Sequence, residues 1–437
     1  MSSKTKTTAA KDEATPGLVP KLRFPEFRKA EGWKSIPLDR LAINSKQKNR
    51  DEKIDRVLTN SAEFGVVDQR DFFDKDIATQ GKLDGYFIVE LGSYVYNPRI
   101  SSTAPVGPIS KNKIGTGVMS PLYTVFKFKG GNDDFYEHFF KTTGWHAYMR
   151  QASSTGARHD RMAISGDNFM AMPLPVPSLA EQKKIAKCLT SLEELIAAQA
   201  RKVDALKSHK KGLMQQLFPR RGETRPRLRF PEFQNARDWE TKRIDERGEV
   251  LAGKALAVDA PGSLRPYLRT KNVLDGTIDL SDVLMMPMTD TEFSRFEILD
   301  GDVLLNEGQS LALVGRASIY RGELGQRCAM QNQLLRFRAY PSTCPEFAAQ
   351  AFRQCQKDGT FASIATQTTS VAHLGSSRFS ALTLAWPRLL AEQQRIAKCL
   401  TSLDTLVTNE ARRLQALKTH KKGLMQQLFP STGEVEA

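Results

Sequence analysis

The stretch AEQKKIAKCLTSLEELIAAQARKVDALKSHKKGLMQQLFP at residues 180–219 returns at 391–430 as AEQQRIAKCLTSLDTLVTNEARRLQALKTHKKGLMQQLFP. Aligned without gaps, roughly 28 of 40 positions are identical at an offset of about 211 residues, so one unit has been used twice. In the first copy Ile185, Leu189, Leu192, Ile196, Gln199, Val203, Leu206, Lys210, Leu213 and Leu217 recur at steps of four and three, the seam spacing of a coiled coil. The second copy repeats the seam with Ile396, Leu400, Leu403, Val407, Glu410, Leu414, Leu417, Lys421, Leu424 and Leu428. No proline interrupts either copy before Pro219 and Pro430, which predicts two unbroken helices, each a rod of about 60 Å at 1.5 Å per residue. The apolar seam residues, at ~1.5 to 3 kcal/mol each, suffice to hold the two helices together within the chain. The polar seam residues Gln199, Lys210, Glu410 and Lys421 either fix register or mark places where the helices splay. Either helix orientation is reachable across the intervening sequence; an antiparallel pair would put the two intervening segments at opposite ends of the rod.

The repeat is larger than the helix. LRFPEFRKAEGW at 22–33 recurs as LRFPEFQNARDW at 228–239. Each unit therefore runs from an LRFPEF motif, expected as an extended strand or loop on a core, through a diverged body to a long helix. The bodies read as mixed α/β. Short β-branched and aromatic runs predict strands at 86–89, 93–96 and 122–128 in the first, and at 302–305, 313–314 with 317–320, and 334–340 in the second. A helix is expected in each, at 135–151 and 345–365, then a polar loop and a proline-bearing strand leading into the long helix.

A net charge of +15 points to a polyanionic partner, nucleic acid first and an anionic membrane surface second, since no apolar run approaches a spanning length. The opening residues lack the apolar core of a signal peptide and read as a disordered tail. Five cysteines with no CxxC argue against a disulfide framework or a zinc site and suit a reducing cytoplasm. Cys188 and Cys399 occupy one position of the repeat and read as free thiols beside the seam. No phosphate-binding loop and no dinucleotide fingerprint is present. Asn97-Pro98-Arg99 lacks the second proline and the aromatic ring of an amino-methyltransferase motif. His159-Asp160 has no second cluster to complete a metal site, and His209 and His420 suit the carboxyl ends of the helices. The sequence therefore predicts no catalytic residues, no cofactor and no metal.

What remains is binding chemistry. Arg99, Lys111, Lys113, Arg158 and Arg161 in the first body lie in or beside Ser-, Thr- and Gly-rich loops. So do Arg269, Lys271, Asn306, Gln309, Arg316, Gln331, Gln333, Thr369 and His373 in the second. Arginine pairs bidentately with guanine and Asn or Gln with adenine, so these are the side chains a base-reading loop requires, set against the plainer reading of solvated charge or phosphate contact.

The paired LRFPEF motifs, the approaches PLPVPSLAEQKKIA and WPRLLAEQQRIA and the two GLMQQLFP endings resemble, over about residues 20–430, the specificity subunit of a type I restriction-modification system. The resemblance implies an α+β chain with an internal pseudo-twofold repeat: two mixed α/β target-recognition domains separated by two long antiparallel coiled-coil helices. It divides the chain into a tail (1–19), a first recognition domain (20–177), a first helix for spacing and docking (178–219), a second domain (220–388), a second helix (389–430) and a tail (431–437). It further implies a non-catalytic, cytoplasmic subunit that reads a bipartite double-stranded DNA target with a non-specific spacer. Partners would be modification subunits, normally two, that methylate adenine, and ATP-dependent restriction subunits. The alternatives are a nucleic-acid-binding scaffold that reads no sequence and a nuclease built on carboxylates of the second body.

Overall fold

A computed structural model describes residues 18–72, 83–130, 133–153, 160–255, 257, 259–368 and 370–430. The chain forms two compact units, one of the residues up to 198 together with those from 414 on, the other of residues 199–413. The two long helices are Leu179–Leu217 and Leu390–Leu428, 39 residues each. The Ser178 hydroxyl caps the first by accepting from the Glu181 backbone N–H at 3.3 Å, and both stop at the Leu-Phe-Pro ending. Each helix contributes a segment to each unit.

In the first unit residues 179–198 pack against 414–428. Ile185 and Leu189 share a core with Leu428 and Phe429, and Lys421 pairs with Glu193 at 2.5 Å. In the second unit Gln199 donates to the Glu410 carboxylate at 2.6 Å, and Lys210 meets Asp404 at 2.5 Å. Partners fall along one helix as they rise along the other, so the segments are antiparallel within each unit. All four polar seam residues are partnered, which makes them register contacts and not points of splaying. Of the apolar seam residues, Ile185, Leu189, Val203, Leu217, Ile396, Leu400 and Leu428 are buried. Leu192, Ile196, Leu206, Leu213, Leu403, Val407, Leu414, Leu417 and Leu424 are half-buried, with Leu213 and Leu424 packed against the cores of the second and first units.

Each body is built on a four-stranded antiparallel sheet of the same order. In the first unit it is Ala42–Asn44, Thr124–Phe128, Tyr94–Tyr96, Ile109–Lys111. In the second it is Gly248–Ala252, Leu334–Ala339, Val303–Asn306, Ala317–Ile319. A two-stranded ribbon closes each unit, Lys34–Pro37 with Pro173–Val176 and Glu240–Arg243 with Thr383–Trp386. The second unit adds a four-stranded sheet of Leu284–Met288, Ser263–Leu268, Cys328–Met330 and Glu297–Ile298, in which Ser263–Leu268 and Cys328–Met330 run parallel.

The LRFPEF motif is a single 3-10 turn, at Pro25–Phe27 and Pro231–Phe233, and not an extended strand, since proline pre-sets the first turn. Its purpose is to clamp the long helices. Arg23 donates from Nε and Nη2 to the Glu181 carboxylate at 2.7 and 2.8 Å and also to the Ala30 and Glu31 carbonyls. Arg229 does the same to Glu392, at 2.7 Å twice, and to Ala236 and Arg237. Lys184 lies over Phe24 and pairs with Glu26; Arg395 lies over Phe230 and pairs with Glu232. Backbone N–H groups of Leu22 and Leu228 reach the Gln427 and Gln216 carbonyls at the ends of the long helices.

Three expected elements differ. The helix foreseen at 135–151 is Asp134–Phe139 and His146–Ala152, because Thr142 bonds back to the Phe139 carbonyl and accepts from the Gly144 N–H, replacing helical partners. The helix foreseen at 345–365 breaks after Lys357 at Gly359, whose φ of 82° no helix accommodates. Leu313 and Val314 lie in a turn, where Gly315 has φ 74° and a Cβ would sit 2.2 Å from the Phe361 ring.

Charge is buried unevenly along the first unit's seam. Burial pushes His138 down to about 4, with Glu193 pulling upward and Lys141 and Lys421 adding to the fall; its Nε2 bonds the Thr190 hydroxyl at 3.1 Å. Burial pushes Glu193 up, but Lys421 and Lys141 outweigh it and hold the carboxyl at about 2. Both folded values lie below the unfolded ones of 6.5 and 4.5, so both contributions are present at neutral pH. His138's is lost as pH falls from 6.5 to about 4, Glu193's from 4.5 to about 2. His138→Gln is therefore expected to flatten the loss of stability between pH 6.5 and 4.5 in urea titrations, and an unchanged slope would refute the assignment.

Candidate nucleic-acid interface

The first body offers two separate groups. An antiparallel bridge sets Arg99 beside Arg161; Arg99 is exposed with its backbone N–H on the Asn97 side chain, and Arg161 is 3.5 Å from Asp160. Lys111 lies between Asp133 and Asp134 at 2.8 Å from each, and Lys113 is 2.7 Å from Glu137. Burial pulls Lys111 down, but the two carboxylates outweigh it and leave its pKa above the ordinary lysine value. Arg158 and His159 lie outside the described residues, as does Thr369 in the second body.

In the second body Arg269 and Lys271 share the Asp282 carboxylate, tying a loop down over residues 269–282. Asn306 is fully buried and donates to the Val273 carbonyl at 3.2 Å, as Asn97 donates to the Asn60 carbonyl at 2.9 Å. Asn306, expected in or beside a loop as a base contact, is the last residue of the strand Val303–Asn306, and its amide is turned inward by the bond to Val273.

Gln309 and His373 lie on the small three-stranded sheet Gly308–Gln309, Ala372–His373, Thr366–Gln367, and Gln333 approaches it at Gly308. Gly308 lies opposite His373, and a Cβ there would come 2.0 Å from Gln333 Oε1 and 3.3 Å from His373 Cε1. Only glycine allows the amide and the ring to share that space. Gln331 lies on the neighbouring turn, its backbone N–H on the Leu268 carbonyl, while Arg316 follows Gly315 and accepts the Asn306 N–H. The side chains of Arg316, Gln331, Gln333 and Gln367 have no hydrogen-bonding partner among the described residues. Sequence reasoning missed Glu307, whose carboxylate takes the His373 Nδ1 at 3.1 Å and the Gly375 N–H at 3.3 Å, and Arg378, which binds Thr366 and the His373 carbonyl. A lone acidic residue inside an amide-rich stretch was the available signal. Among the described residues no cluster of three or more metal-ligating side chains occurs, and no helix is long and apolar enough to cross a membrane.

Residues 236–419 match the family model described as the type I restriction modification DNA specificity domain. The chain is 24% identical over 234 residues to the EcoKI specificity subunit of Escherichia coli K12, covering 53% of this chain and 48% of that one. It is 30% identical over 156 residues to the MjaVIII specificity subunit of Methanocaldococcus jannaschii, covering 36% and 32%. The matched parts thus span about half and a third of those relatives. In fold the chain is similar to the type I S subunit from M. genitalium, with TM-score 0.57, 13% identity and coverage of 94% and 99%. It is also similar to a chain of a type I R-M system solved for its complex assembly and conformational transition, with TM-score 0.54, 14% identity and coverage of 92% and 98%. In sequence over residues 236–419 and in fold over most of its length, the chain is therefore similar to the specificity subunits of type I restriction-modification systems.

Proposed function

We propose that this chain is the sequence-specific DNA-binding subunit of a type I restriction-modification complex. Residues 20–177 and 220–388 act as target-recognition domains that read the two halves of a bipartite duplex target around a non-specific spacer. The long helices, 178–219 and 389–430, serve as spacer and docking surface. The chain carries no chemistry of its own; modification subunits methylate adenine and restriction subunits cleave.

The observation that carries this reading is one sheet order and one arginine clamp built twice around loops that differ. The first body presents Arg99 and Arg161, the second an amide and imidazole cluster, as two modules reading different bases require. The outward helix faces support a repeated partner: Lys187 and Lys398, Leu195 and Leu406, Arg201 and Arg412, and Lys211 and Lys422 are exposed in both copies. Internal packing places no demand on these positions, so their agreement suits two copies of one partner on two copies of one surface. The net charge of +15 supports the DNA partner.

The test is single-molecule sequencing of host DNA for N6-methyladenine with and without the gene. A bipartite motif that vanishes on deletion is expected. Identical methylation in both strains of a host whose modification subunits are expressed would overturn the reading in favour of a scaffold that reads no sequence.

A further inference from the structure

The polar cluster of the second body is anchored on one side. His373 is held from behind: Glu307 accepts from its Nδ1 at 3.1 Å, and its backbone carbonyl takes the Arg378 guanidinium at 2.9 Å. Glu307 is itself well placed for this. It follows the buried Asn306 directly, its N–H donates to the Gln333 carbonyl at 2.8 Å, its carbonyl accepts from Leu374 at 2.8 Å, and its second carboxylate oxygen takes the Gly375 N–H. The carboxylate side chain is 15% exposed and the His373 ring 35%.

With Nδ1–H given to a carboxylate, a neutral imidazole has one tautomer left, in which Nε2 carries a lone pair and accepts. Gln333 Oε1, a second acceptor, lies across Gly308 beside the same ring, and its amide has no partner among the described residues. An imidazole Nε2 held as an acceptor beside an amide whose oxygen can also accept matches an exocyclic amino group, which in the major groove marks adenine and cytosine on the strand being read.

We propose that Glu307 is a positioning residue for base reading, fixing the His373 tautomer so that His373 and Gln333 together select an adenine or cytosine in one half of the target. The inference rests on the proposed DNA-reading function and adds to it the residue that sets one position's specificity. Glu307 touches no base; it acts through the ring it holds.

The experiment is the methylation map of a host carrying the full chain with its natural partners, in wild-type form and as Glu307→Ala, Glu307→Gln and His373→Ala. In wild type, one half of the motif contains a position restricted to adenine or cytosine. Glu307→Ala and His373→Ala each relax that same position, with methylation at sites bearing the other bases rising about five- to hundred-fold, while the other half stays unchanged. Glu307→Gln keeps an acceptor for Nδ1–H and restores the wild-type motif. An unchanged motif in Glu307→Ala or His373→Ala overturns the proposal. So does uniform loss of methylation at every site with Glu307→Gln, which would mark a structural role. Absence of any chain-dependent motif in wild type overturns the DNA-reading function itself, and the proposal with it.

Discussion

Glu392→Ala is expected to lower the unfolding free energy of the second unit by about 3–5 kcal/mol, the usual result of removing one partner of a buried ion pair. The Glu392 carboxylate is fully buried and satisfies three donors: Arg229 Nε and Nη2 at 2.7 Å and Trp239 Nε1 at 3.1 Å. Without it a guanidinium with 7% of its side chain exposed keeps only the Ala236 and Arg237 carbonyls, and the Trp239 indole keeps nothing. Glu181→Ala removes the same clamp on Arg23 in the first unit, yet the Trp33 Nε1 there has no partner to lose. The Glu392 variant is therefore expected to be the more damaging by roughly one hydrogen bond, about 1 kcal/mol. Hydrogen exchange resolved to each unit, at graded urea, measures both. Losses below about 1 kcal/mol would mean that water replaces the carboxylate, and equal losses would remove the indole bond from the account.

That clamp also marks the boundary of what sequence pattern conveys. The long helices were legible because ten positions at steps of four and three, eight of them apolar, line up on one face of a helix and on no face of a strand, and the duplication turned one pattern into two. Glu181 and Gln182 with Glu392 and Gln393, by contrast, look like solvated residues at a helix start, although Glu181 and Glu392 bind arginines about 160 positions earlier. Gln182 and Gln393 fasten the Pro177 and Pro387 carbonyls. Long-range polar pairing leaves no periodicity, so it is invisible until the chain has folded.

The DNA-facing candidates divide for the same reason. Gln333 and His373 could be named from composition, and the fold sets them beside Gly308. Lys111 and Asn306 have the right chemistry for base contact, yet partners elsewhere in the chain hold them, two aspartates in one case and the Val273 carbonyl in the other. Glu307 escaped notice because its use depends on a ring 66 positions away.

The second large effect belongs to the seam, and its sign depends on which partner is removed. Asp404 collects Lys210 at 2.5 Å, Arg353 at 2.7 Å and Gln350 at 2.9 Å, while Arg353 also holds Asp275 at 2.6 Å. The lysine and arginine side chains are 8% and 9% exposed. Asp404→Ala leaves two like charges together in a buried seam, and a loss of about 3–5 kcal/mol is expected. Lys210→Met should behave differently. Burial, with Arg353 beside it, pushes Lys210 down to about 8 despite Asp404, so the folded chain bears a charge it accommodates poorly. Methionine fills a similar volume, and Asp404 keeps Arg353 and Gln350; the change should be within about 1 kcal/mol of zero or stabilising. Because the folded value lies below the unfolded 10.5, the unfolded chain holds this proton after the folded chain has released it. Wild-type stability from this group should thus rise between pH 8 and 10.5, and Lys210→Met should lack that rise. Urea unfolding of the three proteins at pH 7.5 and at pH 10 decides it. If Lys210→Met loses as much as Asp404→Ala, the lysine is a net stabiliser of the seam; if it does not, Lys210 fixes the register of the helices at a cost in stability.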